Sequence, residues 1–194
     1  MFIVPAYLPP ISFFKEIVNL KSVYLCKLTN YQKQTYRNRC FIYSANGMQK
    51  LTIPVKHNYE SKSYVKSEIY NELNWQKTHW KAIESAYSSS PFFEHYTDIF
   101  FPFYDNKFKL LFDFNYEMLL KILECIEIEI EIENVDKIGS FSELNRLLDS
   151  KKKRKKYRKY NQVFDSKNGF ITDLSIIDLI FNLGPETNKY LNSI

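Results

Sequence analysis

The chain has 194 residues, 45% hydrophobic and 25% charged, enough for one domain of ordinary size with a buried core. No uncharged apolar run approaches the roughly 18–20 residues that span a bilayer, and the three cysteines, Cys26, Cys40 and Cys125, are odd in number and lack metal-ligand spacing. The net charge of +5 is local: residues 151–160, KKKRKKYRKY, hold eight cations and no acid, and the rest of the chain sums to −3.

The opening MFIVPAYLPP has no basic leader and is broken by prolines, so it reads as neither a signal peptide nor a membrane span. Reduced thiols then place the protein in the cytoplasm. FIVPAY predicts a short strand ending at Tyr7. SFFKEIVNL, with apolar residues at 13, 14, 17, 18 and 20, predicts a one-sided helix capped by Ser12. SVYLCKL is a second strand. Strand, loop, helix, strand opens a parallel α/β sheet, whose ligands sit at the strand ends.

NYQKQTYRNRC, residues 30–40, has no apolar stripe and is dense in cations, amides and tyrosines. RCFIYSANGMQKLTIPV predicts a hairpin turning at Asn46-Gly47, a pair that tolerates positive φ. SYVKSEIY reads as a further strand. NWQKTHWKAIESAY predicts a helix capped by Asn74, burying Trp75, His79, Ala82, Ile83 and Ala86. The aromatic stretch PFFEHYTDIFFPFY belongs in the interior. NYEMLLKILECI is an amphipathic helix, and IEIEIEIE (126–133) alternates as an edge strand with one carboxylate face. In NGFITDLSIIDLIFNLGPET a turn at Asn168-Gly169 and a cap at Asp173 precede a helix that Gly184 and Pro185 end. The fold class is therefore α/β: a strand-loop-helix-strand opening, a β-hairpin and a mainly helical C-terminal part. One domain covers 1–194, with a basic insert at 151–160.

The motifs AYLPP…FF, NYQKQTYRNRC, SANG…LTIPV, WQKTHW…SAY…SPFFEHY and QVF…GF…LSIIDLIFNLGPE occur in an order that resembles the WbqC-like protein family, over roughly residues 3–191. The resemblance implies a bacterial cytoplasmic protein with relatives encoded among surface-polysaccharide genes. It further implies a transferase that adds an acyl or aminoacyl group to an amino sugar.

Within 36–40, extended chain projects Arg37 and Arg39 to one side, and two planar guanidiniums suit bidentate capture of phosphate or carboxylate. Gln32, Lys33 and Asn38 add donors. Counting equal steps from the hairpin turn brings Lys56 and His57 beside them. Tyr7, at a strand end, is a further ligand contact. His79 between two tryptophans is either a packed core histidine or a proton-transfer group. Asp178 inside an apolar helix must meet a cation or a ligand, and pairing with Arg37 or Arg39 would join it to the site. Cys40 beside Arg39 has no partner histidine at fixed spacing, which argues against a nucleophile. No Walker loop, GxGxxG, HExxH or CxxC occurs, so no metal is assigned and the cofactor stays unknown.

The basic run could hold phosphates, with Tyr157 and Tyr160 as stacking surfaces. A run of this kind is ordinarily a solvated face, so a dedicated nucleic-acid partner is not expected, and only weak attraction to anionic membrane surfaces is. The leading reading is an enzyme acting on a small anionic substrate, phosphorylated or nucleotide-linked. Arg37, Arg39, Lys33 and Lys56 would bind the anion, Tyr7, Gln32 and Asn38 would orient it, and His79 and Asp178 would move protons. The alternative is a non-catalytic ligand-binding or assembly protein. Convergence of His79 and Asp178 on the arginines discriminates the two.

Overall fold

Strands β1 (Phe2–Ile3) and β2 (Ser22–Cys26) lie parallel, joined through helix α1 (Ile11–Ile17). The structure is a computed structural model that describes residues 1–57, 61–135 and 147–194. The first strand is shorter than FIVPAY because Pro5 has no N–H for the ladder, and Tyr7 N–H leaves the sheet to donate to the Tyr36 carbonyl at 2.8 Å. Strand β5 (Glu131–Val135) adds in parallel to the other side of β2, giving the order β1-β2-β5.

Hairpin strands β3 (Arg39–Ser44) and β4 (Gly47–Thr52) form a separate two-stranded sheet. Ser44 pairs with Gly47, so the turn residues are Ala45 and Asn46, and only Gly47, at φ +91°, needs left-handed backbone. That sets the register two residues from the equal-step count: Arg39 faces Thr52, and Asn38 exchanges hydrogen bonds with Ile53.

Helices α2 (Trp75–Tyr87), α3 (Phe93–Phe100), α4 (Pro102–Asp105) and α5 (Leu111–Cys125) follow, then a single turn α6 (Asp165–Asn168), α7 (Ile176–Leu183) and α8 (Thr187–Ser193). As expected, α2 buries Trp75, His79, Ile83 and Ala86 and exposes Lys77, Lys81 and Glu84. SYVKSEIY is not a strand. A 3₁₀ turn at Tyr64–Lys66 drives the Tyr64 ring inward, where its hydroxyl donates to the Pro5 carbonyl at 2.8 Å. The alternating run is only partly strand: α5 ends at Cys125, Glu127 turns at φ +52°, and ladder pairing begins at Glu131. The burial alternation nevertheless holds, with Ile126 and Ile128 inside and the intervening glutamates exposed.

Asp173 caps a helix, though not the one next to it. Its Oδ1 accepts the Ser12 N–H at 2.8 Å, at the start of α1, while Ser12 and Asn74 make no side-chain cap. Ile11 N–H to the Leu174 carbonyl and Ile176 N–H to the Pro9 carbonyl, both 3.0 Å, bring the two helix starts together.

One apolar cluster runs from Ile3 to Leu191 and joins both sheets to all the longer helices. The basic run is built into this body as irregular chain. Arg154 lies over the Phe41 ring at 4.6 Å and donates to the Asp173 carbonyl, and Lys155 pairs with Glu16 at 2.8 Å. Tyr160 is buried and Tyr157 is half-buried, so neither ring stands out to stack on a base. Among the described residues no helix is long and apolar enough to cross a membrane.

Candidate anion-binding cleft

The loop that leaves the carboxyl end of β2 pairs with residues 61–64: Tyr31 N–H donates to the Lys62 carbonyl at 2.7 Å and Tyr64 N–H to the Thr29 carbonyl at 2.8 Å. The hairpin's open end, from Asn38 and Arg39 across to Thr52–His57, stands opposite. Between them lies a cleft of about 450 Å³, within the range of small-molecule sites. Its lining includes Tyr31, Lys33, Asn38, Arg39, Lys56, His57 and Lys62, and no carboxylate among the described residues. Lys56 also pairs with Glu68 at 3.3 Å, beside the cleft. Arg39 is half-buried, and among the described residues nothing hydrogen-bonds its guanidinium; its Nε is buried without a partner, as is Oδ1 of neighbouring Asn38.

Arg37 departs from the expectation that it joins Arg39 on one side to capture the anion. It is 1% exposed, its guanidinium 5.6 Å from the ring centre of Tyr64, the ring on which cleft-lining Tyr31 stacks. Its Nη1 donates to Gln32 Oε1 and Thr35 Oγ1 at the long distances of 3.4 and 3.5 Å, and its Nε has no partner. No carboxylate among the described residues pairs with it, and burial lowers its affinity for its proton. Both arginines act on the Tyr31 hydroxyl: burial pushes that group up to about 12, and Arg39 and then Arg37 oppose the rise. Residues 36–38 form a turn instead of the expected extended chain, and β3 begins at Arg39, so the two guanidiniums do not share one strand face: Arg39 lies in the cleft wall and Arg37 behind it, both acting on one tyrosine.

Tyr7 and His79 are core residues. Tyr7 is fully buried; its hydroxyl donates to His79 Nδ1 at 2.9 Å and accepts from the Tyr104 hydroxyl at 3.0 Å. The neutral imidazole accepts at Nδ1 when its proton sits on the other ring nitrogen, toward the Thr52 backbone. Burial drops the imidazole to about 4, the Thr52 carbonyl partly opposing the shift. Cys40 sits in the same dry cluster, its thiol pushed far up by burial, which is the opposite of an activated thiolate.

Asp178 belongs to another cluster and meets neither arginine. Oδ1 accepts from the Tyr87 hydroxyl at 2.9 Å; Oδ2 accepts from Gln162 Nε2 at 2.8 Å and from the Tyr160 hydroxyl. Burial raises the carboxyl to about 6 in spite of these three donors. Of the expected site residues, then, Lys33, Asn38, Arg39 and Lys56 share the cleft. Gln32 is exposed beside it, Arg37 is buried behind it, and Tyr7, His79 and Asp178 are packed elsewhere. The cleft also contains Tyr31 and Lys62. Tyr31 stands in the quoted loop and was legible there, whereas nothing local marks Lys62, which arrives only through the pairing of 61–64 with the β2 loop.

The sequence profile of the WbqC-like protein family matches residues 5–155, which takes in the hairpin, every cleft-lining residue and α5. The "Uncharacterized protein Rv1507c" of Mycobacterium tuberculosis is 24% identical over 216 residues, with 95% of this chain and 94% of the relative covered. No solved structure matches the chain. The profile ends inside the basic run, while the mycobacterial alignment extends over nearly the whole chain. With more than half of its length matched by the profile, the chain belongs to the WbqC-like protein family.

Proposed function

We propose that this protein captures a small phosphorylated or nucleotide-linked anion in the cleft between the hairpin's open end and the β2 loop. The observation that carries the reading is the Arg39 guanidinium, without a hydrogen-bond partner among the described residues, in a concavity walled by Lys33, Lys56 and Lys62 and by no described carboxylate. A half-buried guanidinium offers a planar fork that two phosphoryl oxygens complete, and lower local dielectric strengthens the pair. Tyr31 supplies a ring on the same wall. His79 and Asp178 lie in packing, so the geometry supports binding more directly than proton transfer from those groups.

Family membership supports placing the bound anion in modification of an amino sugar by an acyl or aminoacyl group during surface-polysaccharide assembly. The transferase reading has one structural support of its own: His57, on the cleft wall with Arg39 and Lys56, is an imidazole on the side where a ligand would sit.

Isothermal titration with inorganic phosphate and with nucleoside diphosphates tests the binding reading. Wild-type protein binds one equivalent, and Arg39→Ala weakens binding by about tenfold or more, the scale of one lost charge-assisted contact. Equal affinity for wild type and Arg39→Ala, or no binding to either, would overturn it.

A further inference from the structure

Arg37 is a buried cation with no described carboxylate beside it, and ordinary packing does not explain its presence. A charge removed from water is costly unless a counter-charge or a full set of acceptors replaces the hydration. Among the described residues Arg37 has two long hydrogen bonds, an orphaned Nε and the face of Tyr64, which together fall short of that replacement. It stands in the turn just before β3, two residues from Arg39 at the strand's first position, and both guanidiniums act on the hydroxyl of Tyr31.

The charge balance of the site is lopsided. Among the described residues, Lys33, Arg39, Lys56 and Lys62 line the cleft and Arg37 lies behind it, while Glu68 beside the cleft is shared between Lys56 and Lys109. One phosphoryl group brings about −1.5 to −2 at neutral pH, which leaves much of this field uncompensated. Two linked phosphoryl groups bring about twice that, a charge closer to the field of the cleft cations and Arg37 together.

Resting on the proposed anion cleft, we infer that its ligand carries two linked phosphoryl groups, and that buried Arg37 acts through the wall as the positioning charge that selects a diphosphate over a monophosphate. Arg39 and the lysines meet the ligand directly. Arg37 contributes field from a place where water screens it poorly, so its effect grows with the charge of the ligand.

The test is titration of wild type, Arg37→Met and Arg37→Lys with inorganic phosphate and with pyrophosphate, in metal-free buffer. Wild type is expected to bind pyrophosphate about 10- to 100-fold more tightly than phosphate, the range of one additional charged contact. Arg37→Met reduces that ratio to about threefold or less while its phosphate affinity stays within about threefold of wild type, and Arg37→Lys keeps most of the preference. Phosphate binding in wild type without a preference for pyrophosphate overturns this inference and leaves the anion cleft standing. Binding of neither anion overturns both. An Arg37→Met protein that keeps the full preference removes Arg37 from the account, and if that variant fails to fold, the wild-type ratio and Arg37→Lys decide.

Discussion

The Tyr7 hydroxyl donates to Nδ1 of His79 across 2.9 Å in the centre of the core, although 72 positions separate the two residues. The contact makes His79 a neutral packing element and ties the exit of β1 to the first turns of α2. Around buried Asp178, three neutral donors do similar work. These clusters and the cationic cleft make separable predictions.

The two buried groups should give opposite pH dependences of stability. His79 falls from 6.5 to about 4 on folding, so the unfolded chain binds the extra proton in that window. Its contribution is complete above about 6.5 and is lost as pH falls toward 4, by up to about 1.4 kcal/mol per pH unit. Asp178 rises from 3.8 to about 6, so the folded chain binds the extra proton. Its contribution is complete below 3.8 and is lost as pH rises toward 6. Between about pH 4 and 6 the two slopes largely cancel. Urea unfolding across that range should show His79→Gln losing stability with rising pH relative to wild type, and Asp178→Asn gaining it. Parallel curves for all three proteins would contradict the assignment.

Asp178→Ala should cost about 2–4 kcal/mol, because it strands the Tyr87, Tyr160 and Gln162 donors and opens a cavity. Asp178→Asn, which keeps the shape and removes the buried charge, should cost less than half as much at neutral pH. Phosphate affinity should stay within about threefold of wild type in Asp178→Asn. Loss of binding at unchanged stability would move Asp178 into the site.

The two arginines should part in stability as well as in binding. Arg39→Ala, at the cleft wall, should change unfolding free energy by no more than about 0.5 kcal/mol. Arg37→Met replaces a buried charge that no described carboxylate pairs with by an apolar chain of comparable length, and the ligand-free variant should melt at or above the wild-type temperature. A drop of several degrees in Arg37→Met would show that the guanidinium is structural. Thermal melts in anion-free buffer measure both.

Gly184→Ala should be the most damaging single-methyl change in the C-terminal part. Gly184 sits at φ +53°, a conformation that side chains rarely adopt, and an added Cβ would lie 2.5 Å from the Phe92 ring. Strain and overlap together predict a loss of about 2–4 kcal/mol. Combining it with Phe92→Leu should recover part of the loss and leave the backbone share. Full recovery, or no initial loss in chemical denaturation, would disprove the reading.

Much of the architecture was legible because it is local. The apolar spacing in 75–87 and 115–126, the Gly184-Pro185 stop and the β-rich arms around residues 45–47 each follow from nearest-neighbour chemistry, although α5 starts four residues earlier, at Leu111. Predictions failed where a distant partner won. Asp173 caps α1 because the chain around Leu174 runs beside Pro9–Ile11, a proximity no local pattern contains. Tyr64 forms a helical turn, not a strand, because its hydroxyl has Pro5 and Asn115 to meet inside the core.

The same division governs the site. The sequence by itself determined that the polar stretch 30–40 holds guanidiniums and amides with no apolar stripe to bury. Only the tertiary structure decided that Arg39 lines a cleft while Arg37 is sealed behind it, that Lys62 joins them, and that His79 and Asp178 belong to the core. The physical reason is that residue type and periodicity dictate which groups must find partners, whereas the partner each one finds depends on which segments the hydrophobic collapse presses together.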